Sequence, residues 1–310
     1  MTQTVFIDGA AGTTGLEIAE RLAGRSEFSL IALDEARRKD AAARREALNE
    51  ADFVILCLPD DAAREAVAMI GNDRTKVIDA STAHRVAAGW AYGFPELNAG
   101  QRAAIAASTR VSNPGCYPTG FLALVAPLVR AGLLPADWPY ICHAVSGYSG
   151  GGKALIERFE RDADIAWRGY ALTLGHKHVP EMQARCGLSI GPLFSPAVIP
   201  AHRGMIVEVP LPLNAMPTAA SPDALRAALT DFYGASPIVV MGAAPEGGEM
   251  LLRASDAGDD RLELFVFANE DASQARLVAR LDNLGKGASG ACVQNLNIMA
   301  GLPETAGLRL

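Results

Sequence analysis

One cysteine in this 310-residue chain stands in surroundings that favour reactivity. Cys116 lies in Val111-Ser-Asn-Pro-Gly-Cys-Tyr-Pro-Thr-Gly120, directly before an apolar stretch whose spacing predicts a helix over Thr119 to Ala131. Pro118 falls in the first turn, where a missing N–H costs nothing. A thiol at a helix N-terminus has its thiolate stabilised by the helix dipole and by free backbone N–H groups, and so becomes a nucleophile. A cysteine elsewhere is usually a small buried hydrophobe. The Asn-Pro-Gly turn argues for an approach that a core cysteine would not need.

Two histidines, His176 and His178, stand two apart in Gly175-His-Lys-His-Val-Pro-Glu181. On an extended segment this spacing turns both imidazoles to one face. With Glu181 they resemble part of a metal site, but no third or fourth ligand is evident. An acid/base role beside the thiol is the better-motivated reading, because a tetrahedral intermediate must gain or lose a proton. Arg85 in Asp79-Ala-Ser-Thr-Ala-His-Arg85 and Arg203 in Pro200-Ala-His-Arg-Gly204 could clamp a carboxylate or phosphate with paired hydrogen bonds, or be solvated surface charges. Arg85, His178, Glu181 and Arg203 are therefore expected on the substrate side.

The elements that must position these groups begin with a short apolar strand, Thr4 to Asp8, running into Gly9-Ala-Ala-Gly12-Thr13-Thr14-Gly15 and then a helix. A glycine turn between a first strand and a helix lets backbone N–H groups approach a pyrophosphate at the positive end of the helix dipole. The spacing is G-x-x-G-x-x-G, looser than the tightest dinucleotide fingerprint, yet it opens an alternating pattern. Strands are expected at Ser29 to Leu33, Phe53 to Leu58 and Lys76 to Ala80, with helices at Ala36 to Leu48 and Asp61 to Ile70. Such alternation implies right-handed crossovers and a parallel, doubly wound sheet. Asp34 near the end of the second strand favours NAD, whereas Arg37, Arg38 and Lys39 just beyond it favour a 2′-phosphate. The three cations are read as an NADP site, with a solvated helix face as the alternative.

After about residue 115 the pattern changes to strands with long connections, at Tyr140 to Val145, Ala197 to Ile199, Met205 to Leu211, Pro237 to Met241 and Leu262 to Ala268. This predicts an α+β second domain. The run Ser146-Gly147-Tyr-Ser-Gly-Gly-Gly-Lys153 is either a flexible loop or a lining that lets a ring approach the backbone. Ser146 and Gly147 are expected on the cofactor side. The fold class is α/β: a Rossmann dinucleotide-binding domain, 1–115 completed by 286–310, plus an α+β substrate domain with a mixed sheet, 116–285.

A formal charge of −7 gives no attraction to nucleic acid or anionic lipid, and neither partner is expected. No apolar run approaches a membrane span, no export signal is visible, and the expected location is the cytoplasm. Five cysteines without a CxxC pair argue for reduced thiols, four of them core residues, and against a zinc knuckle.

Taken together, GAAGTTG at 9–15, YGFPEL at 92–97, NPGCYPT at 113–119, GHKHVPEM at 175–182, HRGM at 202–205 and KGASGACVQNLN at 286–297 resemble the shorter form of the N-acetyl-γ-glutamyl-phosphate reductase family. The resemblance implies NADP(H), an acyl-phosphate substrate that releases phosphate, and a homo-oligomer. It further implies Cys116 as nucleophile, a histidine of the H-x-H as acid/base, with His176 favoured, and Asn295 near the cofactor. Where the longer family form carries Asp-Phe before the arginine, this chain has Ala83 and His84, which leaves the role of Arg85 open. Aspartate-semialdehyde dehydrogenase, or another acyl-phosphate reductase, shares the chemistry and is the alternative. A cysteine hydrolase would have no use for the glycine turn, and a non-catalytic NADP sensor would not need the thiol.

Overall fold

The computed structural model describes residues 2–310. The chain divides into two units: Met1–Pro95 with Gly100–Pro114 and Ala288–Leu308, and Glu96–Ala99 with Gly115–Gly287 and Arg309–Leu310.

The first unit carries six strands, β1 (Gln3–Asp8), β2 (Phe28–Ile31), β3 (Phe53–Leu56), β4 (Lys76–Asp79), β5 (Ala91–Tyr92) and β6 (Arg110–Ser112), in one sheet of order β2-β1-β3-β4-β6-β5. Every pairing is parallel. Helices α1 (Thr13–Leu22), α2 (Ala41–Glu50), α3 (Asp60–Met69) and α4 (Gln101–Ala107) connect them. Side chains alternate between two apolar layers: Val5, Ile7, Phe53 and Ile55 pack with Ile18 and Leu22 of α1, while Phe6, Val54 and Leu56 pack with Leu48 of α2 and Ala63 of α3. Both faces are covered, which is why these strands read as continuous apolar runs.

The helix expected from Ala36 begins only at Ala41. Asp34 Oδ1 accepts the Arg37 N–H at 2.9 Å and closes a turn, and Asp40 then caps α2 through the Ala43 N–H at 2.7 Å. Aspartate side chains compete with the helix for these donors and set its start.

The second unit opens with α5 (Cys116–Arg130) and holds seven strands: β7 (Ile141–Gly147), β8 (Arg168–Gly169), β9 (Leu193–Ile199), β10 (Met205–Leu211), β11 (Val239–Met241), β12 (Leu262–Ala268) and β13 (Ala275–Leu281). Their order is β11-β12-β13-β10-β7-β9-β8. The sheet is mixed: β7/β9 and β11/β12 are parallel and the other pairs antiparallel. The remaining helices are α6 (Gly152–Arg161), α7 (Val179–Cys186) and α8 (Pro222–Tyr233), after which the chain returns to the first unit as α9 (Gly290–Ala300). There Val293 and Leu296 join the layer beneath α1.

Helix α5 lies close on the sheet, because Gly120 leaves room where a Cβ would meet Val207 Cγ2 at 2.8 Å. The opposite face carries the cluster Ile206, Phe265 and Val278, exposed Ile141 and Leu193, and the pairs Arg276–Glu208 (2.9 Å) and Arg280–Glu263 (2.6 Å). No helix among the described residues is long and apolar enough to cross a membrane.

Candidate active site

The glycine turn follows β1 directly. Gly9 has φ +90°, and a Cβ there would fall 2.3 Å from the Cys57 carbonyl oxygen. A Cβ on Gly15 would fall 2.5 Å from the Gly9 carbonyl oxygen. Only glycine fits at either place. Gly12 is the N-cap of α1, without a side-chain cap, and no acidic residue stands in the first turn. The N–H groups at Thr13, Thr14 and Gly15 are thus left to an external acceptor, as a dinucleotide pyrophosphate requires. The turn fits that group.

Past β2, Arg37, Arg38 and Lys39 are exposed. Arg37 pairs with Glu46 at 3.1 Å and Arg38 with Glu35 at 2.5 Å. Exposed pairs of this kind hold weakly, so both guanidinium groups can be released to a phosphate.

The turn before the cysteine is built around Asn113, buried at the end of β6. Its N–H donates to the Asp79 carbonyl at 2.7 Å, and its own carbonyl accepts from Arg85 Nε at 3.0 Å. Its Nδ2 donates to the Ala288 carbonyl at 3.0 Å, and its Oδ1 accepts from Asn295 Nδ2 at 3.0 Å. Asn295 Nδ2 also reaches the Gly93 carbonyl at 2.8 Å. Arg85 is buried and its Nη2 donates to the Ala80 carbonyl at 3.1 Å, so these contacts are with main chain. Asp79, fully buried at the end of β4, takes His84 Nδ1 at 2.6 Å, and His84 stacks on Trp90. Asn113 escaped the sequence reading, where Asn-Pro-Gly signalled only a turn; four simultaneous partners become visible only once the strands are paired.

In the second unit Cys116 is the first residue of α5, not the residue before it, and is half-buried. Gly115 is the N-cap and offers no side chain. Glu181, 2 % exposed on α7, accepts the Gly115 N–H at 2.9 Å and ties the two helices together beside the thiol. His176 and His178 lie in the turn entering α7, not on a strand, and His178 is its N-cap. Their rings meet edge to face at 4.7 Å. His178 lies 5.8 Å from the Tyr117 ring, and His176 lies 5.0 Å from Phe194 and 5.7 Å from Tyr170. The Tyr117 hydroxyl donates to the Ala197 carbonyl at 3.2 Å, and burial pushes the Tyr170 phenol up to about 12.

The His178 N–H donates to His176 Nδ1 at 3.1 Å. That bond fixes the neutral His176 ring with its proton on Nε2. His176 can therefore donate a hydrogen bond, but it takes up a proton only after the contact with the His178 N–H breaks.

Arg203 donates to the buried Asp282 carboxylate at 2.8 Å. A Cβ on Gly147 would lie 2.7 Å from Arg203 Cα, so the glycine lets residues 201–203 close on the end of β7. Ser146 is buried, with its Oγ donating to the Gly147 carbonyl at 3.0 Å. The other cysteines differ from Cys116: Cys142, Cys186 and Cys292 are buried, and burial pushes all four thiols up, Cys57 to about 12.

The structure thus gathers Cys116, His176, His178 and Glu181 in the second unit, and the glycine turn in the first, where Arg85 and Asn295 converge on Asn113. Residues 4–106 match the family model described as semialdehyde dehydrogenase, NAD binding domain, and residues 116–283 that described as semialdehyde dehydrogenase, dimerisation domain. The first unit accordingly binds a nicotinamide dinucleotide. Among solved structures, the chain is similar to aspartate semialdehyde dehydrogenase II of Vibrio cholerae complexed with ASA (TM-score 0.72, 16 % identity, 97 % and 99 % of the two chains covered). Aspartate semialdehyde dehydrogenase from Francisella tularensis is comparable (TM-score 0.71, 12 % identity, 96 % and 100 % covered). At these identities the likeness concerns the fold. Much nearer in sequence are N-acetyl-gamma-glutamyl-phosphate reductase of Trichormus variabilis, 49 % identical with 98 % of each chain covered, and N-acetyl-gamma-glutamyl-phosphate reductase 2 of Pseudomonas putida, 52 % identical with 99 % of each covered. Identity at this level over nearly the whole of both chains, on this fold, means that the chain belongs to the N-acetyl-gamma-glutamyl-phosphate reductase family.

Proposed function

We propose that this chain reduces N-acetyl-γ-glutamyl phosphate to N-acetylglutamate semialdehyde with NADPH, in arginine biosynthesis in the cytoplasm, with Cys116 as the nucleophile. The observation that carries the reading is Cys116 at the N-terminus of α5, whose N-cap has no side chain, with the histidine turn of α7 tied to that same end through Glu181 and Gly115. The Cys116 thiolate attacks the acyl carbon, the bond to phosphate breaks, and a thioester remains. His178 takes the thiol proton, an assignment that moves from His176 because the latter's Nδ1 is engaged. His176 Nε2–H and the backbone N–H groups at the start of α5 hold the oxygen on which charge develops. A nicotinamide dinucleotide held at the Gly9–Gly15 turn would supply the hydride, which a thioester carbonyl can accept and a carboxylate could not. Cys116 then leaves as thiolate. Arg85 and Arg203 act in this reading mainly by holding their own units in shape, since each has a protein partner, whereas Asn295, whose buried Oδ1 has none, stays on the cofactor side in the first unit. A second copy of the chain is expected on the open face of the β7–β13 sheet, in the region that matches a dimerisation domain.

Phosphate-dependent oxidation of N-acetylglutamate semialdehyde, measured beside that of aspartate semialdehyde, tests the substrate. The former should proceed at least about 10²-fold faster in kcat/KM, the discrimination that polar recognition supplies. Equal or reversed rates would transfer the chain to the aspartate reaction. The preference for NADPH rests on Arg37, Arg38 and Lys39 outweighing Asp34. Changing Arg37 and Arg38 together to alanine should raise the Michaelis constant for NADPH by about tenfold or more, a loss consistent with charge-assisted bonds to phosphate. The constant for NADH should stay nearly unchanged; a parallel rise in both would make the two arginines structural.

A further inference from the structure

Lys286 and Glu96 form an ion pair within the second unit, Nζ lying 2.9 and 2.8 Å from the two carboxylate oxygens, with side chains only 2 % and 3 % exposed. Taking two charges out of water costs more than an apolar pair of similar size would, so such a pair is weak evidence for stability alone. Its place in the fold points elsewhere. Lys286 stands in a π-helical turn, Gly285–Ser289, an element that is rare and concentrated at functional sites. The turn is pinned on its near side by the Gly287 N–H bond to the Asp282 carbonyl at 3.0 Å. Gly285 presses on the Asp259 carbonyl, where a Cβ would come within 2.0 Å. The residue after Lys286 touches the nucleophile: a Cβ on Gly287 would fall 2.9 Å from Cys116 Cβ and 3.5 Å from its Cα. On the other side Glu96 belongs to a four-residue stretch, Glu96–Ala99, whose Leu97 carbonyl accepts from Arg130 near the end of α5. The pair thus joins both ends of the helix that begins at Cys116 to the turn that backs it.

We propose that Lys286 and Glu96 are positioning residues for Cys116, holding Gly287 as the surface against which the nucleophile is set. The inference rests on Cys116 being the nucleophile. The decisive variant is the apolar double replacement Lys286→Met with Glu96→Leu, which removes both charges and leaves neither unpaired. It should melt within a few degrees of the parent, keep its Michaelis constants and lose about tenfold or more in kcat, the scale of a nucleophile displaced by a fraction of an ångström. The alkylation rate of Cys116 by iodoacetamide, which needs no substrate, should change with it. Gly287→Ala leaves the pair intact and crowds Cys116 directly, so it should show the same selective fall in kcat even if the double variant does not fold. Full kcat in a folded double variant, or in Gly287→Ala, would overturn the proposal. A parent protein that turns over no acyl phosphate would instead defeat the functional reading, and the alkylation rates would still report on the positioning.

Discussion

Cys116→Ser should fold, melt near the parent temperature and bind NADPH with unchanged affinity, while its reductase rate falls by about 10³-fold or more. The substitution exchanges sulfur for oxygen at the first residue of α5 and disturbs little else: the Gly115 N–H still meets Glu181, and the Tyr117 hydroxyl still donates to the Ala197 carbonyl at 3.2 Å. A hydroxyl needs a far stronger base than imidazole to ionise near neutral pH, so the helix N-terminus that favours a thiolate is insufficient for an alkoxide. None of the other four cysteines is placed to substitute, since burial disfavours each of their thiolates. Stopped-flow absorbance with N-acetylglutamyl phosphate and NADPH, and mass spectrometry of the trapped acyl-enzyme, report the outcome. A variant retaining more than about a tenth of the parent rate would remove Cys116 from the mechanism, because losing a nucleophile costs orders of magnitude.

Replacing either histidine by asparagine should lower kcat/KM by about 10²-fold, the usual scale for an acid/base group or an oxyanion donor. The two variants differ in their pH profiles. His178→Asn should lose the acidic limb, the one produced when the base becomes protonated, whereas His176→Asn should keep it. In His178→Asn the main-chain N–H that donates to His176 Nδ1 survives, so the neighbouring ring keeps its orientation. In His176→Asn the amide oxygen can accept the same N–H, so the turn into α7 is preserved and the effect is chemical. Profiles of kcat/KM from about pH 5 to 9 would bracket an imidazole titration. If the limb disappears with His176→Asn instead, proton uptake belongs to His176, and its contact with the His178 N–H must open when substrate binds.

Much of the first unit was legible without coordinates. Short continuous apolar runs marked β1, β3 and β4, because strands buried on both faces are uniformly apolar, and the glycines of 9–15 announced a turn that admits no Cβ. Some elements escaped. The strand Ala275–Leu281, ARLVARL, sets Arg276 and Arg280 on the open face on either side of Val278, and their charge masked an interior strand that pairs with both β10 and β12. The helix α2 started late because two aspartates took local N–H donors that hydrophobic spacing does not register.

For the site, the sequence by itself determined the kinds of group available: a thiol at a predicted helix start, two imidazoles two residues apart, and a dinucleotide turn. Those assignments depend on neighbours within a few residues, where chain connectivity already limits the geometry. Only the tertiary structure decided which partner each group meets. It set Glu181 on the Gly115 N–H, placed Arg85 and Asn295 on Asn113, paired Arg203 with Asp282 and buried Lys286 against Glu96. Each contact joins residues 28 to 190 positions apart. Whether an arginine clamps a ligand or a backbone carbonyl is settled by which acceptor the packing brings within about 3 Å, a distance on which spacing along the chain has no bearing once strands and helices intervene.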